Sequence, residues 1–135
     1  MTVKTEKKDG KREYKRILKF GVVGLTGIFV NEGLLWFFTE IVGLFYLFSG
    51  IIAVEASIIS NFIFNDIWTF KDMRNGTFMN RMLKFNVARW LIIVVNLGIL
   101  LGLTMLGMHY LIANLIGIIA ATALTYTSSL KWVWK

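Results

Sequence analysis

Four long apolar stretches, parted by short polar breaks, make up most of the chain. They run over about 17–39, 46–66, 83–106 and 110–131. At 1.5 Å of rise per residue, about 20 apolar residues cross the hydrocarbon core of a bilayer, so each stretch is long enough to span. The breaks are Glu40-Ile41-Val42-Gly43, a polar segment over 66–82 and a tight connection at Gly107-Met108-His109. The pattern predicts an all-α integral membrane protein with four transmembrane helices paired as two hairpins. Residues 1–15 read as a basic cytoplasmic tail, helical near the membrane and frayed before it. A single four-helix domain is expected over 16–135.

The two hairpins are copies of one unit. Arg16-Ile17-Leu18-Lys19-Phe20 returns as Arg81-Met82-Leu83-Lys84-Phe85, and the same offset of 65 relates Asn31 to Asn96 and Gly33 to Gly98. After Thr39 the offset drops to 64, pairing Gly43 with Gly107, Trp68 with Trp132 and Lys71 with Lys135. The copies are placed at about 16–71 and 81–135. Two spans return the chain to the side it started from, so both copies insert in one orientation, as a parallel repeat.

Composition agrees with a bilayer as solvent. Of the 135 residues, 56% are apolar, and the mean hydropathy is +0.65, more apolar surface than a soluble domain of this size has interior for. Of the 15 Lys and Arg residues, 14 sit at one face, Arg89 lies deeper within a span, and the hairpin tips carry none. The positive-inside rule then puts both termini and the middle loop in the cytoplasm, across the inner membrane. This bias also accounts for the net charge of +7, and no recognition fold for nucleic acid is read, so no nucleic-acid partner is expected. The first apolar run is too long, and too polar at its far end, for a cleaved signal peptide. Trp68 closes the second span, and Trp132 and Trp134 close the fourth, each group ending in a lysine. Such rings beside a snorkelling cation read as interfacial anchors.

Asn61-Phe62-Ile63-Phe64-Asn65-Asp66-Ile67-Trp68-Thr69-Phe70 resembles the N-F-x-x-N-x-x-W-T-F motif of the GtrA-like family of small four-span membrane proteins. Arg16-Ile17-Leu18-Lys19-Phe20-Gly21-Val22-Val23-Gly24 resembles that family's opening, and Tyr110-Leu111-Ile112-Ala113-Asn114 the start of its fourth span. The second copy departs from the asparagine motif, with Thr125-Tyr126-Thr127-Ser128-Ser129 in its place. The resemblance implies a role in polysaccharide or glycoconjugate synthesis, in which a polyprenyl-phosphate-linked sugar is flipped across the cytoplasmic membrane. It also implies a separate membrane glycosyltransferase as a partner.

A charge at mid-bilayer costs at least about 2.5–3.5 kcal/mol on insertion scales, so each one calls for a reason. Arg89, Glu32 and Glu55 face Gly24, Leu97 and Ile119 in the repeat, so neither copy shares its charges with the other. Arg89 stands about 8 Å inside the cytoplasmic boundary at 1.5 Å per residue. One reading, prompted by the resemblance, is a lipid-phosphate clamp of Arg89 helped by Lys19, Lys84, Asn61 and Asn65, since a guanidinium fork matches phosphate oxygens. The other is an arginine that snorkels or pairs with Glu55. Glu32, Glu55 and Asn96 are candidates for a polar track lying between the hairpins. The carboxylates could equally be protonated and structural, or salt-bridged. The small residues Ala53, Ser57, Asn61 and Asn65, and the pair Gly98 and Gly102, suit close helix packing.

Three functions compete: a flippase or flippase subunit, a non-transporting anchor for a glycosyltransferase, and a small multidrug-type exporter. The one-sided charge argues against the last, whose antiparallel dimers need weak bias. No cysteine is present and His109 is alone, so no metal site is read. With no nucleophile triad or phosphate loop either, neither an enzyme nor a cofactor is expected. Four spans enclose little cavity, which predicts a homo-oligomer, with the Gly98/Gly102 or Ala113/Gly117 face as its contact.

Overall fold

The computed structural model describes residues 2–135. Of the tail expected over 1–15, Met1 and the side chains of Thr2, Lys4 and Thr5 lie outside the described residues. The described chain is helical, and four long helices form two hairpin pairs, as the apolar pattern predicted. Helix α1 runs Thr2–Trp36, α2 Tyr46–Phe64, α3 Phe78–Met105 and α4 Tyr110–Ser128. All four are long and apolar enough to cross a membrane. Large apolar side chains stand exposed along every one of them, with Met105 at the end of α3 84% exposed. Water would disfavour such a surface, and lipid accepts it.

The chain divides into two compact units, the first up to Arg74 and the second from Asn75. In the first, α1 packs on α2. Gly27 is where the backbones come together. The Ser57 Oγ donates to the Gly27 carbonyl at 2.9 Å, and a Cβ on Gly27 would run into the Asn61 amide. In the second unit α3 packs on α4, and Gly117 plays the matching part against the Asn96 side chain. Gly98 and Gly102 have open space where a Cβ would stand, so that small-residue pair is not spent on packing within its own hairpin.

Each long helix except α3 ends in a π-helical turn, over Phe37–Ile41, Asn65–Thr69 and Ser129–Val133. The last two are closed by i→i+5 bonds, Phe70 N–H to Asn65 O at 2.8 Å and Trp134 N–H to Ser129 O at 3.1 Å. They occupy equivalent places in the two copies. The wider turn swings the next ring inward. Phe70 meets Phe20 edge-on at 6.3 Å, and Trp134 meets Phe85 edge-on at 5.6 Å.

Boundaries differ from the sequence expectation for local reasons. Helix α1 extends outward without interruption through the charged tail. That segment is rich in Lys, Glu and Arg, and propagating an existing helix through good formers costs little. Helix α3 starts at Phe78 instead of about 83 because Thr77 Oγ1 accepts the Asn80 N–H at 3.2 Å and caps it. The hairpin tips turn at Gly43 (φ 82°) and Gly107 (φ 96°), the left-handed region that glycine enters without steric cost.

Candidate functional site

The charged end of the first hairpin is assembled by α1 and the π-turn that closes α2. Lys19 lies one face of α1 inward from the tail, and its Nζ sits 5.5 Å from the centre of the Trp68 ring. Arg16, one turn before it, donates from its guanidinium to Asp72 Oδ2 at 2.9 Å and stands 5.9 Å above the Phe70 ring. The second hairpin repeats the first contact, with Lys84 Nζ 5.9 Å from the Trp132 ring. The structure therefore joins Lys19 with Trp68 and Lys84 with Trp132. A cation on an exposed indole suits a headgroup boundary, where one partner is wet and the other apolar.

Trp134 is a correction to the anchor expectation. Its side chain is 1% exposed and packs against Phe85, because the π-turn rotates position 134 into the unit. Trp68 and Trp132 each keep 44% of their surface exposed.

Deeper in the first unit, Asn61 and Asn65 lie on the buried face of α2 and its π-turn. Both side-chain carbonyls are buried with no hydrogen-bond partner among the described residues. Such atoms cost free energy unless something completes them. Asp66 beside them is buried, with Arg74 4.0 Å away. Glu55 on α2 is half-buried, whereas Glu32 on α1 is exposed and stands outside the face that holds the two amides.

In the second unit Arg89 on α3 donates to Thr125 Oγ1 on α4 at 3.1 Å, and that hydroxyl donates onward to the Ala121 carbonyl at 2.7 Å. Thr125 occupies the place of Asn61 in the repeat, so the hydroxyl serves the arginine where the first copy has an amide beside a glycine. The Arg89 Nε is buried without a partner among the described residues, as is Asn96 Oδ1. Arg89 thus keeps part of its fork for a further acceptor.

Sequence reasoning missed Arg12, Lys15, Thr69 and Asp72, which line an open cavity together with Lys19 and Trp68. The signal was available in the spacing 12, 15, 16, 19, which repeats one face of a helix. The positive-inside bias already accounts for the charge of the tail, which left that face without a further role. Among the described residues no cluster of three or more His, Cys, Asp or Glu could hold a metal ion.

Residues 19–134 match the model of the GtrA/DPMS transmembrane domain family. Over 122 residues, 90% of the chain, the sequence is 48% identical to a dolichol-phosphate mannosyltransferase of Pyrococcus furiosus. The chain spans about a third of that protein's length, 34%.

Proposed function

We propose a function from one premise: the chain belongs to the GtrA/DPMS transmembrane domain family. In this reading it is a multi-pass protein of the cytoplasmic membrane, both termini inside, that flips a polyprenyl-phosphate-linked sugar or supports a protein that does so. The product would feed polysaccharide or glycoconjugate synthesis. The observation that carries the reading is the match to a family linked to polyprenyl-phosphate sugars across nearly the whole chain, residues 19–134. The cationic boundary of both hairpins and the partly unpaired Arg89 fork agree with a phosphate-bearing ligand.

The test is a flipping assay with the purified chain alone in proteoliposomes carrying a labelled polyprenyl-phosphate sugar. Movement above that in protein-free vesicles is expected. Movement at the protein-free rate would leave the second reading, a membrane anchor that positions a separate glycosyltransferase. That reading has its own support, since the chain matches only about a third of a relative named as a transferase.

A further inference from the structure

At the charged end of the first hairpin lies an open cavity of about 470 Å³. Arg12, Lys15, Arg16 and Lys19 reach it from one face of α1, and Lys71 from the turn after α2. Asp72 is the single carboxylate among the lining residues. Gathering five cations around one space is unfavourable unless an anion enters it. Trp68 and Thr69 form the wall on the α2 side. Thr69 is 3% exposed. Its Oγ1, like the Arg16 Nε, is buried with no hydrogen-bond partner among the described residues. Two buried groups able to donate, in a cationic cavity, point to an acceptor-rich anion.

The duplicated hairpin supplies an internal comparison. The counterparts of Arg12, Lys15 and Thr69 are Thr77, Asn80 and Val133, which bring no cation, and the last no hydroxyl. The counterpart of Arg16 is Arg81, which is buried and donates to the Asn75 and Gly76 carbonyls at 3.1 and 2.9 Å. The lysine on its tryptophan persists in both copies, but the surplus of positive charge belongs to the first.

We infer that this cavity is a phosphate-ester site, one per chain, in which a phosphate group takes Arg16 from Asp72 and accepts from Thr69. The volume lies in the usual range of small-ligand sites and is larger than a phosphate alone needs, so the group bonded to that phosphate has room beside Trp68. Asp72 acts as a resident competitor. Its carboxylate occupies the guanidinium when the site is empty, which keeps weaker anions out. The inference rests on the proposed phosphate-bearing ligand but not on its movement across the membrane.

The experiment is equilibrium binding to the full chain in phosphatidylcholine nanodiscs, where there is no second compartment to transport into. One arm adds a labelled polyprenyl phosphate to the disc, and a second adds inorganic phosphate from solution. Saturable binding near one per chain is expected. Saturation in the first arm alone assigns a lipid headgroup, and saturation in both assigns the phosphate group whatever its source.

Arg12→Gln with Lys15→Gln, and Thr69→Val separately, should each weaken binding about tenfold or more. Thr69→Ser, which keeps the hydroxyl, should restore it, and guards against a Thr69→Val variant that fails to fold. Asp72→Asn should tighten binding. Lys7→Gln with Lys8→Gln, which removes the same charge farther out on α1, should leave affinity within about twofold by screening. Absence of saturable binding in both arms would overturn the site. So would a loss on Lys7→Gln/Lys8→Gln equal to that of Arg12→Gln/Lys15→Gln, which would mean general adsorption of anions to a basic helix. Intact binding with no flipping in proteoliposomes would instead overturn the transport reading and leave the site standing.

Discussion

Gly27→Ala puts the first hairpin's packing to the test. A Cβ at residue 27 would collide with the buried Asn61 amide. Overpacking of this kind costs about 1–3 kcal/mol. The same shift would disturb the Ser57 Oγ bond to the Gly27 carbonyl, 2.9 Å long, worth about 0.5–1.5 kcal/mol. Against these, alanine favours a helix over glycine by about 1 kcal/mol. The expected net loss is about 1–3 kcal/mol, read from reversible unfolding in mixed micelles. Gly24→Ala is the control, because its Cβ meets nothing within 4 Å. It should be neutral or stabilising by up to about 1 kcal/mol. Asn61→Ala in the Gly27→Ala background removes the obstacle, so a double-mutant cycle should show coupling of about 1–2 kcal/mol. Equal stabilities for Gly27→Ala and Gly24→Ala, or an additive cycle, would refute the contact as the reason for glycine at 27.

Trp134→Ala should cost about 3–5 kcal/mol of stability as a buried aromatic truncation, while Trp68→Ala, half in contact with its surroundings, should cost much less; unfolding midpoints of the two variants decide it. Arg89→Ala should weaken polyprenyl-phosphate-sugar binding about tenfold or more, and Arg89→Lys should keep only part of it, because an ammonium lacks the fork; unchanged affinity for both variants would remove the clamp. Arg81→Ala should lower stability by about 2–3 kcal/mol by leaving two carbonyls without their charged donor, whereas Arg16→Ala, whose ion pair is partly exposed, should lower it by less than about 1 kcal/mol.

The architecture was legible because its cause is local. Apolar runs of spanning length force helices, since every backbone group in lipid must be satisfied within its own segment. The pairing into hairpins followed from the repeat and the short glycine turns. The π-turns were not legible. Asn65-Asp66-Ile67-Trp68-Thr69 carries no residue that marks an i→i+5 bond, and the inward swing of Phe70 is a tertiary preference expressed through the backbone. That is why Trp132 and Trp134, both aromatic and both beside lysines, looked alike in sequence and differ in burial. The intramembrane residues were found by charge alone, which reveals Arg89 and Glu32 equally. Only packing separates an arginine held by Thr125 from a carboxylate exposed on α1.

Arg16 and Arg81 occupy one place in the repeat, and their different use follows from the backbone that precedes each. Before Arg16 the chain is already helix, so the nearby carbonyls are spent on i→i+4 bonds. Its guanidinium has no main-chain acceptor close by and turns to a side chain, Asp72. Before Arg81 the helix begins only at Phe78, behind a loop that turns at Gly76 (φ 68°). The Asn75 and Gly76 carbonyls are free there, and Arg81 folds back to take them. The loop is held further by Asn75 Nδ2, which donates to the Lys135 carbonyl at 3.2 Å. A capped helix start has thus turned one copy of the arginine into a structural group. The helical extension of α1 keeps the other copy available and sets Arg12 and Lys15 beside it on the same face. Divergence between the copies therefore needed no new fold. The difference between a continued helix and a short loop was enough to concentrate positive charge at the mouth of one hairpin and not the other.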